Sequence, residues 1–223
     1  LVFRDTILGF VTGVHVSTSK NIKVGDWIGI PKYNIEGNIQ DINLLTTKIV
    51  NFDKTISTIP TYDLLSTEIR NHQVMYEGSS RRIKRSIYFN IKSFKFVDDE
   101  FYEKVKDINL ISEYLDRKLR EIAESKKNIP HAERIINGQQ LTNIGLFRNY
   151  VLNYLKNNPK VHQDVIVLVR QLEISPQGMP LEIYCFANKA ELVDYERIQA
   201  DIFDHILTAA QEFDLEIMQI SKA

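Results

Sequence analysis

The chain changes hydrophobic period part-way along, and that change restricts it to a fold made of two unlike pieces. Between residues 24 and 65 the apolar residues, among them Val24, Ile28, Ile30, Ile39, Ile49 and Ile59, come in short runs. Turn signals separate the runs: Val24-Gly25-Asp26, Tyr33-Asn34, Glu36-Gly37-Asn38 and Asp53-Lys54. Thr46, Thr47, Thr55, Thr58 and Thr61 add β propensity. The pattern predicts a small all-β unit of four or five strands, a barrel or a strongly bent sheet. Within it residues 48–59 form a hairpin turning at Asp53-Lys54, and Pro60 ends the ladder.

After Glu77-Gly-Ser-Ser80, a short linker, the pattern becomes mixed. Residues 81–92 alternate, with Ile83, Ile87, Phe89 and Ile91 on one face of a strand. Val105, Ile108, Ile111, Leu115, Leu119 and Ile122 recur at three and four, the signature of one long amphipathic helix. Residues 125–140 are polar, hold Pro130 and Gly138, and read as a loop or insertion. A second helix is expected over 143–155, with Pro159 beyond its end. Strands follow at 165–174 and 181–187, joined by a turn in Ser-Pro-Gln-Gly-Met-Pro. A helix over 195–213 carries Ile198, Ile202, Ile206, Ala209 and Phe213 on one side, and residues 215–220 make a last strand. The order β, α, β, β, α, β is the ferredoxin-like plan.

Ahead of the β unit, residues 1–19 are mostly apolar but interrupted by Arg4 and Asp5. The uninterrupted part is too short to span a bilayer, which takes about 20 residues. On a helix Thr6, Gly9 and Gly13 would form a small-residue stripe of the kind that lets helices pack closely. A packed helix or a buried strand fits the pattern equally well. Because the chain opens on Leu1 without a signal peptide, it reads as a piece of a longer protein.

Little points to catalysis. The net formal charge is −1, which argues against a general nucleic-acid binder, and 43% hydrophobic residues suffice for a core. Cys185 is the sole cysteine, so a disulfide and a thiolate zinc site are both excluded; inside a strand it reads as a small buried apolar residue. None of His15, His72, His131, His162 and His205 stands at ligand spacing, and no metal or cofactor is expected. An enzymatic reading would need carboxylates converging around Asp201, Asp204 and His205. Arg81, Arg82, Lys84 and Arg85 could contact phosphate. With Arg82 and Lys84 on the face opposite Ile83 and Ile87, however, a solvated strand face is the simpler reading. The glycine and paired rings of an RNA-recognition strand are missing.

In order, Gly25-Asp26-Trp27-Ile28, a Gly37-centred turn (Gly37-Asn38-Ile39), Thr47-Lys48-Ile49, Asp53, Ile59-Pro60-Thr61 and Leu65 follow the glycine-bearing apolar start. This series resembles the MscS-like mechanosensitive channel family. Residues 78–91, 141–151 and 198–207 are similar to its YbdG-type miniconductance branch. The resemblance implies an α+β chain: residues 1–19 ending a pore-lining helix, 20–68 a small Sm/SH3-like β barrel, 69–80 a linker, and 81–223 a ferredoxin-like domain with the polar insertion. It implies a homoheptamer in the bacterial inner membrane, this portion forming a cytoplasmic vestibule. Membrane tension would open the pore to ions and small solutes on hypo-osmotic shock. Missing N-terminal helices would contact the bilayer, with no cofactor and no nucleic acid. Thr6, Gly9 and Gly13 become packing or hinge positions of the pore helix. Gly25, Asp26, Gly37, Asp53 and Pro60 become signature turns, and Arg81, Arg82, Lys84 and Arg85 become portal charges. The competing reading is a soluble β-barrel and ferredoxin-like module that binds a small ligand or RNA.

Overall fold

The computed structural model describes residues 4–18 and 21–219, and in the first helix the side chains of residues 7–14. Two compact units, Leu1–Gly78 and Ser79–Ala223, each enclose their own core. In the first, helix α1 (Arg4–Thr18) precedes strands β1 (Trp27–Ile30), β2 (Ile35–Ile42), β3 (Thr46–Asn51), β4 (Ile56–Pro60) and β5 (Arg70–Asn71). The strands pair antiparallel in the order β4-β3-β2-β1-β5, which leaves β4 and β5 as edges. Pro60 stands at the end of edge strand β4, where its missing N–H costs the ladder least. Ile28, Ile30, Ile39, Ile49, Ile59 and Leu64 are buried together, whereas Val24, Leu44 and Ile56 lie exposed at turns and edges. A register shift between Ile39 and Asp41 marks a bulge in β2.

Gly37 is not the centre of a turn. It lies inside β2, opposite Ile28 on one side and Asn51 on the other. A Cβ there would stand 2.2 Å from the Val50 carbonyl oxygen and 2.7 Å from Asn51 Cα, so the glycine serves close strand approach. The chain reverses earlier, through a 3-10 turn at Pro31–Tyr33 that ends on Asn34 in the left-handed region. The stretch 69–80 carries β5 and a short helix α3 (Gln73–Glu77).

A second short helix, α2 (Asp63–Ser66), is tied to the 31–33 turn through its own first residue. Asp63 is buried and accepts from the Tyr33 and Ser66 hydroxyls, with the Lys32 ammonium 3.7 Å away. Burial pushes this carboxyl up, but the hydrogen bonds and the lysine outweigh it and hold Asp63 below its ordinary value of 3.8. A depressed carboxyl contributes stability above its unfolded pKa and loses it as pH falls through the folded value. Asp63→Asn should therefore cost about 1–3 kcal/mol at neutral pH, and the difference should shrink below about pH 4. Denaturant titrations at pH 7 and pH 3 test this; an equal cost at both would contradict it.

The second unit is a three-stranded antiparallel sheet, β6 (Arg81–Phe89), β8 (Met179–Ala187) and β7 (Leu168–Gln171) in that order. Residues 214–218 run beside β6: Asn90 N donates to Glu216 O, Met218 N donates to Tyr88 O, each at 2.8 Å, and Phe89 bridges Ile217. With that segment the spatial order is that of a ferredoxin-like sheet. Of the expected strand at 215–220, this bridge is what forms; residue 220 lies outside the described residues. Likewise only Leu168–Gln171 of the expected strand 165–174 joins the ladder.

Helices α4 (Asp99–Val105), α5 (Asn109–Lys126), α6 (Asn143–Lys156) and α7 (Leu192–Ala209) complete the unit. The single long helix expected from Val105 onward is thus two. Asp98 caps α4, and the chain turns extended at Ile108 before α5. Val105, Ile111 and Leu115 are buried either way, because a short break preserves their spacing. Leu119 is 37% exposed, at the flank of the α5 stripe, and Ile91 leaves the β6 face for a 3-10 turn. A polar knot holds the α6 end of the core. Asn143, fully buried, donates to the Ser93 and Phe213 carbonyls at 2.9 and 3.1 Å and accepts from Lys95 N and Ile144 N at 3.0 and 2.9 Å.

Candidate functional site

The apolar start is helical, and its small residues have a defined neighbour. Gly9 and Thr12 are buried, and Gly9 faces the turn between β2 and β3. A Cβ on Gly9 would stand 2.7 Å from the Leu44 carbonyl oxygen, and one on Gly13 3.5 Å from Leu44 Cδ1. The close approach the stripe provides is therefore to this unit's own β turn. The side chain of Thr6 lies outside the described ones. That turn is itself anchored: Asn43 N donates to Thr46 O at 2.9 Å, Thr61 N to Leu45 O at 3.0 Å, and the Thr61 hydroxyl to Asn43 O at 2.7 Å. Thr47 and Thr61 pair their hydroxyls at 3.1 Å in the buried layer beneath. The other side of α1 presents Ile7, Phe10, Val11 and Val14, each more than half exposed. Soluble monomers rarely expose a contiguous apolar stripe of this kind.

The turn positions behave differently from one another. Gly25 takes a positive φ of 95°. Asp53 Oδ1 accepts from Thr55 N and Oγ1 at 2.9 and 2.6 Å, which lowers its pKa and closes the β3–β4 hairpin with Lys54 left-handed. Asp26 is buried.

On β6 the four basic residues divide between two faces. Arg81 lies over the Tyr195 ring at 4.5 Å and Arg85 over Phe203 at 5.6 Å, both on the α7 side. Arg82 and Lys84 stand on the opposite face, across from Phe186 and Tyr184 of β8. There Glu182 is buried and holds Arg170 at 2.7 Å and Lys84 at 3.7 Å. Sequence reasoning missed this carboxylate, whose place among apolar neighbours in β8 looks like simple alternation. Arg82 lies 5.9 Å over Tyr184, which itself packs edge to face on Phe186 at 5.8 Å. Tyr184 and Phe186 are thus engaged with each other and with Arg82.

Asp201 and His205 do not act on each other. Asp201 is paired with Lys160 at 2.6 Å, and His205 Nε2 shares a hydrogen bond of 2.6 Å with the Tyr150 hydroxyl. His205 stacks on Tyr154 at 4.2 Å. The adjoining cleft of about 330 Å³ holds Asp201 as its carboxylate. Burial pushes the Cys185 thiol up to about 12, so it is a poor nucleophile. In the native protein a thiol-specific reagent should label Cys185 only at the rate of unfolding. Rapid stoichiometric labelling without denaturant would contradict its placement. Among the described residues no helix is long and apolar enough to cross a membrane.

Comparison with known proteins places both units. Residues 5–74 match the family model described as mechanosensitive ion channel, beta-domain, and residues 133–217 the one described as mechanosensitive ion channel MscS, C-terminal. The low conductance mechanosensitive channel YnaI of Escherichia coli is 22% identical over 208 residues, 93% of this chain and 46% of its own length. The cryo-EM structure of Arabidopsis thaliana MSL1 superposes with a TM-score of 0.65 at 15% identity, covering 98% of this chain and 61% of that one. The closed-state crystal structure of Helicobacter pylori MscS gives 0.57 at 14% identity over 100% and 66%. The chain spans less than half the length of the curated relatives it matches.

Proposed function

This chain belongs to the MscS-like family of mechanosensitive ion channels, and we propose that it forms the cytoplasmic vestibule of a tension-gated homoheptamer in the bacterial inner membrane. Its channel would release ions and small solutes on hypo-osmotic shock, with preceding helices in the bilayer and α1 ending the pore lining. The observation that carries this reading is the two-sided character of α1. One side seats Gly9 and Gly13 on the anchored Leu44 turn, while the other leaves four large apolar side chains for neighbouring copies or lipid. The long relationship to YnaI supports it. Assignment to the YbdG-type branch rests on the motifs in residues 78–91, 141–151 and 198–207.

In this reading residues 20–68 form the β ring, 69–80 lead into the C-terminal domain, and exposed Arg82, Lys84 and Arg85 lie where side portals bias ion entry. The seat on Leu44 makes Gly9 a coupling point between pore helix and β domain. Patch-clamp recording of the full-length protein in cells lacking their own tension-gated channels tests the reading. Suction should open a channel, and Gly9→Ala, which forces α1 off the Leu44 carbonyl, should move its tension threshold or its inactivation. No tension-dependent current from well-expressed protein would sink the reading; unchanged gating in Gly9→Ala would remove the coupling role.

A further inference from the structure

Asn137 is the one asparagine of this chain that precedes a glycine. Every other is followed by a residue with a side chain, most often isoleucine, as at Asn21, Asn34, Asn38, Asn90, Asn128 and Asn143. The Asn137-Gly138 pair lies between α5 and α6, outside any helix or strand, with Gly138 exposed and Asn137 half-buried. That setting matters chemically. Connectivity alone keeps the backbone nitrogen of the next residue within reach of an asparagine's side-chain carbonyl carbon. The following side chain and a backbone fixed in a ladder hold it back. Gly138 has neither restraint: it carries no Cβ, its φ is 88°, and its N–H has no hydrogen-bond partner among the described residues. The Asn137 amide also closes the loop it stands in. Its Nδ2 donates to His131 O at 2.8 Å and lies 3.5 Å from Pro130 O. Its backbone N donates to Arg134 O at 2.9 Å, and Arg134 N donates to His131 O at 3.1 Å. Ile135 and Ile136, both exposed, stand within this closed segment.

We propose that Asn137 is a site of spontaneous deamidation, and that its conversion opens the loop at residues 130–137. The Gly138 nitrogen gives up its proton to solvent base and attacks Asn137 Cγ. A C–N bond forms, the bond from Cγ to Nδ2 breaks, and Nδ2 takes a proton from water and leaves as ammonia. Water then opens the cyclic imide at either carbonyl, giving aspartate or isoaspartate. Nothing is oxidised or reduced, and the only co-reactant is solvent water. The product sets an acceptor-only carboxylate where the amide had donated to the His131 and Pro130 carbonyls. Acceptor against acceptor repels, so the contact that closed the loop now drives it apart. The chain, whose net formal charge is −1, gains a further negative charge at this point. Isoaspartate also lengthens the backbone by one methylene. The inference does not depend on the channel reading, since every group involved lies within the second unit.

Incubation of the intact chain at neutral and at mildly alkaline pH, followed by denaturation, tryptic digestion and mass spectrometry, tests it. Trypsin releases residues 135–148, which hold both Asn137 and Asn143, so the site and a control share one peptide. Fragment masses should place the exchange of NH2 for OH on Asn137, faster at the higher pH. Asn143, fully buried and followed by isoleucine, should keep its amide. Asn137→Gln should abolish the exchange at this position. Brief digestion of the folded protein should cut after Arg134 several-fold faster in Asn137→Asp than in wild type, because an opened loop is the better protease substrate. The same peptide made synthetically gives the rate without the fold. Exchange in that peptide with none at Asn137 of the folded chain would mean that the loop locks the amide, and would overturn the site. Cleavage after Arg134 at the wild-type rate in Asn137→Asp would overturn the opening of the loop.

Discussion

Gly37→Ala should unfold the β unit under conditions where the rest of the chain stays folded. The new methyl would sit 2.2 Å from Val50 O and 2.7 Å from Val50 C and Asn51 Cα, all backbone atoms of β3. Backbone of a paired central strand cannot rotate aside as a flexible side chain does. Relief requires β2 and β3 to separate, which breaks ladder hydrogen bonds and opens the layer around Ile39 and Ile49. The expected loss is about 3 kcal/mol or more, at the upper end of single-substitution effects. Trp27 reports it directly, since β1 pairs with β2 through Trp27–Asn38 and Ile28–Gly37. Its fluorescence transition in denaturant should move to markedly lower concentration. A shift equivalent to less than about 0.5 kcal/mol would mean the strands are not this close.

Asn143→Ala should have a comparable effect on the second unit. The amide satisfies four backbone groups in a fully buried site: the carbonyls of Ser93 and Phe213 and the N–H groups of Lys95 and Ile144. Truncation strands them, and each buried unsatisfied group costs about 1–3 kcal/mol unless water enters. A net loss of about 3–4 kcal/mol is expected, read by far-ultraviolet circular dichroism because the long helices lie in this unit. Trp27 fluorescence should report the first unit unchanged. A helical transition at the wild-type midpoint would contradict the role given to Asn143.

The sequence carried the plan of the fold better than its contacts. Alternation through Ile83, Ile87 and Phe89 located β6, and the 198–202–206 spacing located α7, because burial on one face leaves a period that composition cannot disguise. The break between α4 and α5 was hidden because Val105, Ile108 and Ile111 satisfy a three-residue spacing across a break as well as along a helix. Gly37 looked like a turn because Glu-Gly-Asn is turn chemistry; glycine for close approach and glycine for reversal read the same in one dimension. Gly9 and Gly13 were legible as a packing stripe, but their partner, the Leu44 turn, is a long-range contact no local pattern announces. For the same reason Glu182 and Asn143 stayed invisible: a polar residue among apolar ones signals a buried partner without naming it.

Light scattering on the purified chain in mild detergent tests the central claim most directly. The account predicts a closed ring of seven 25.9 kDa copies, about 181 kDa, held through the exposed α1 stripe and the β edges. A monodisperse 25.9 kDa monomer at every concentration tried would contradict the vestibule assembly.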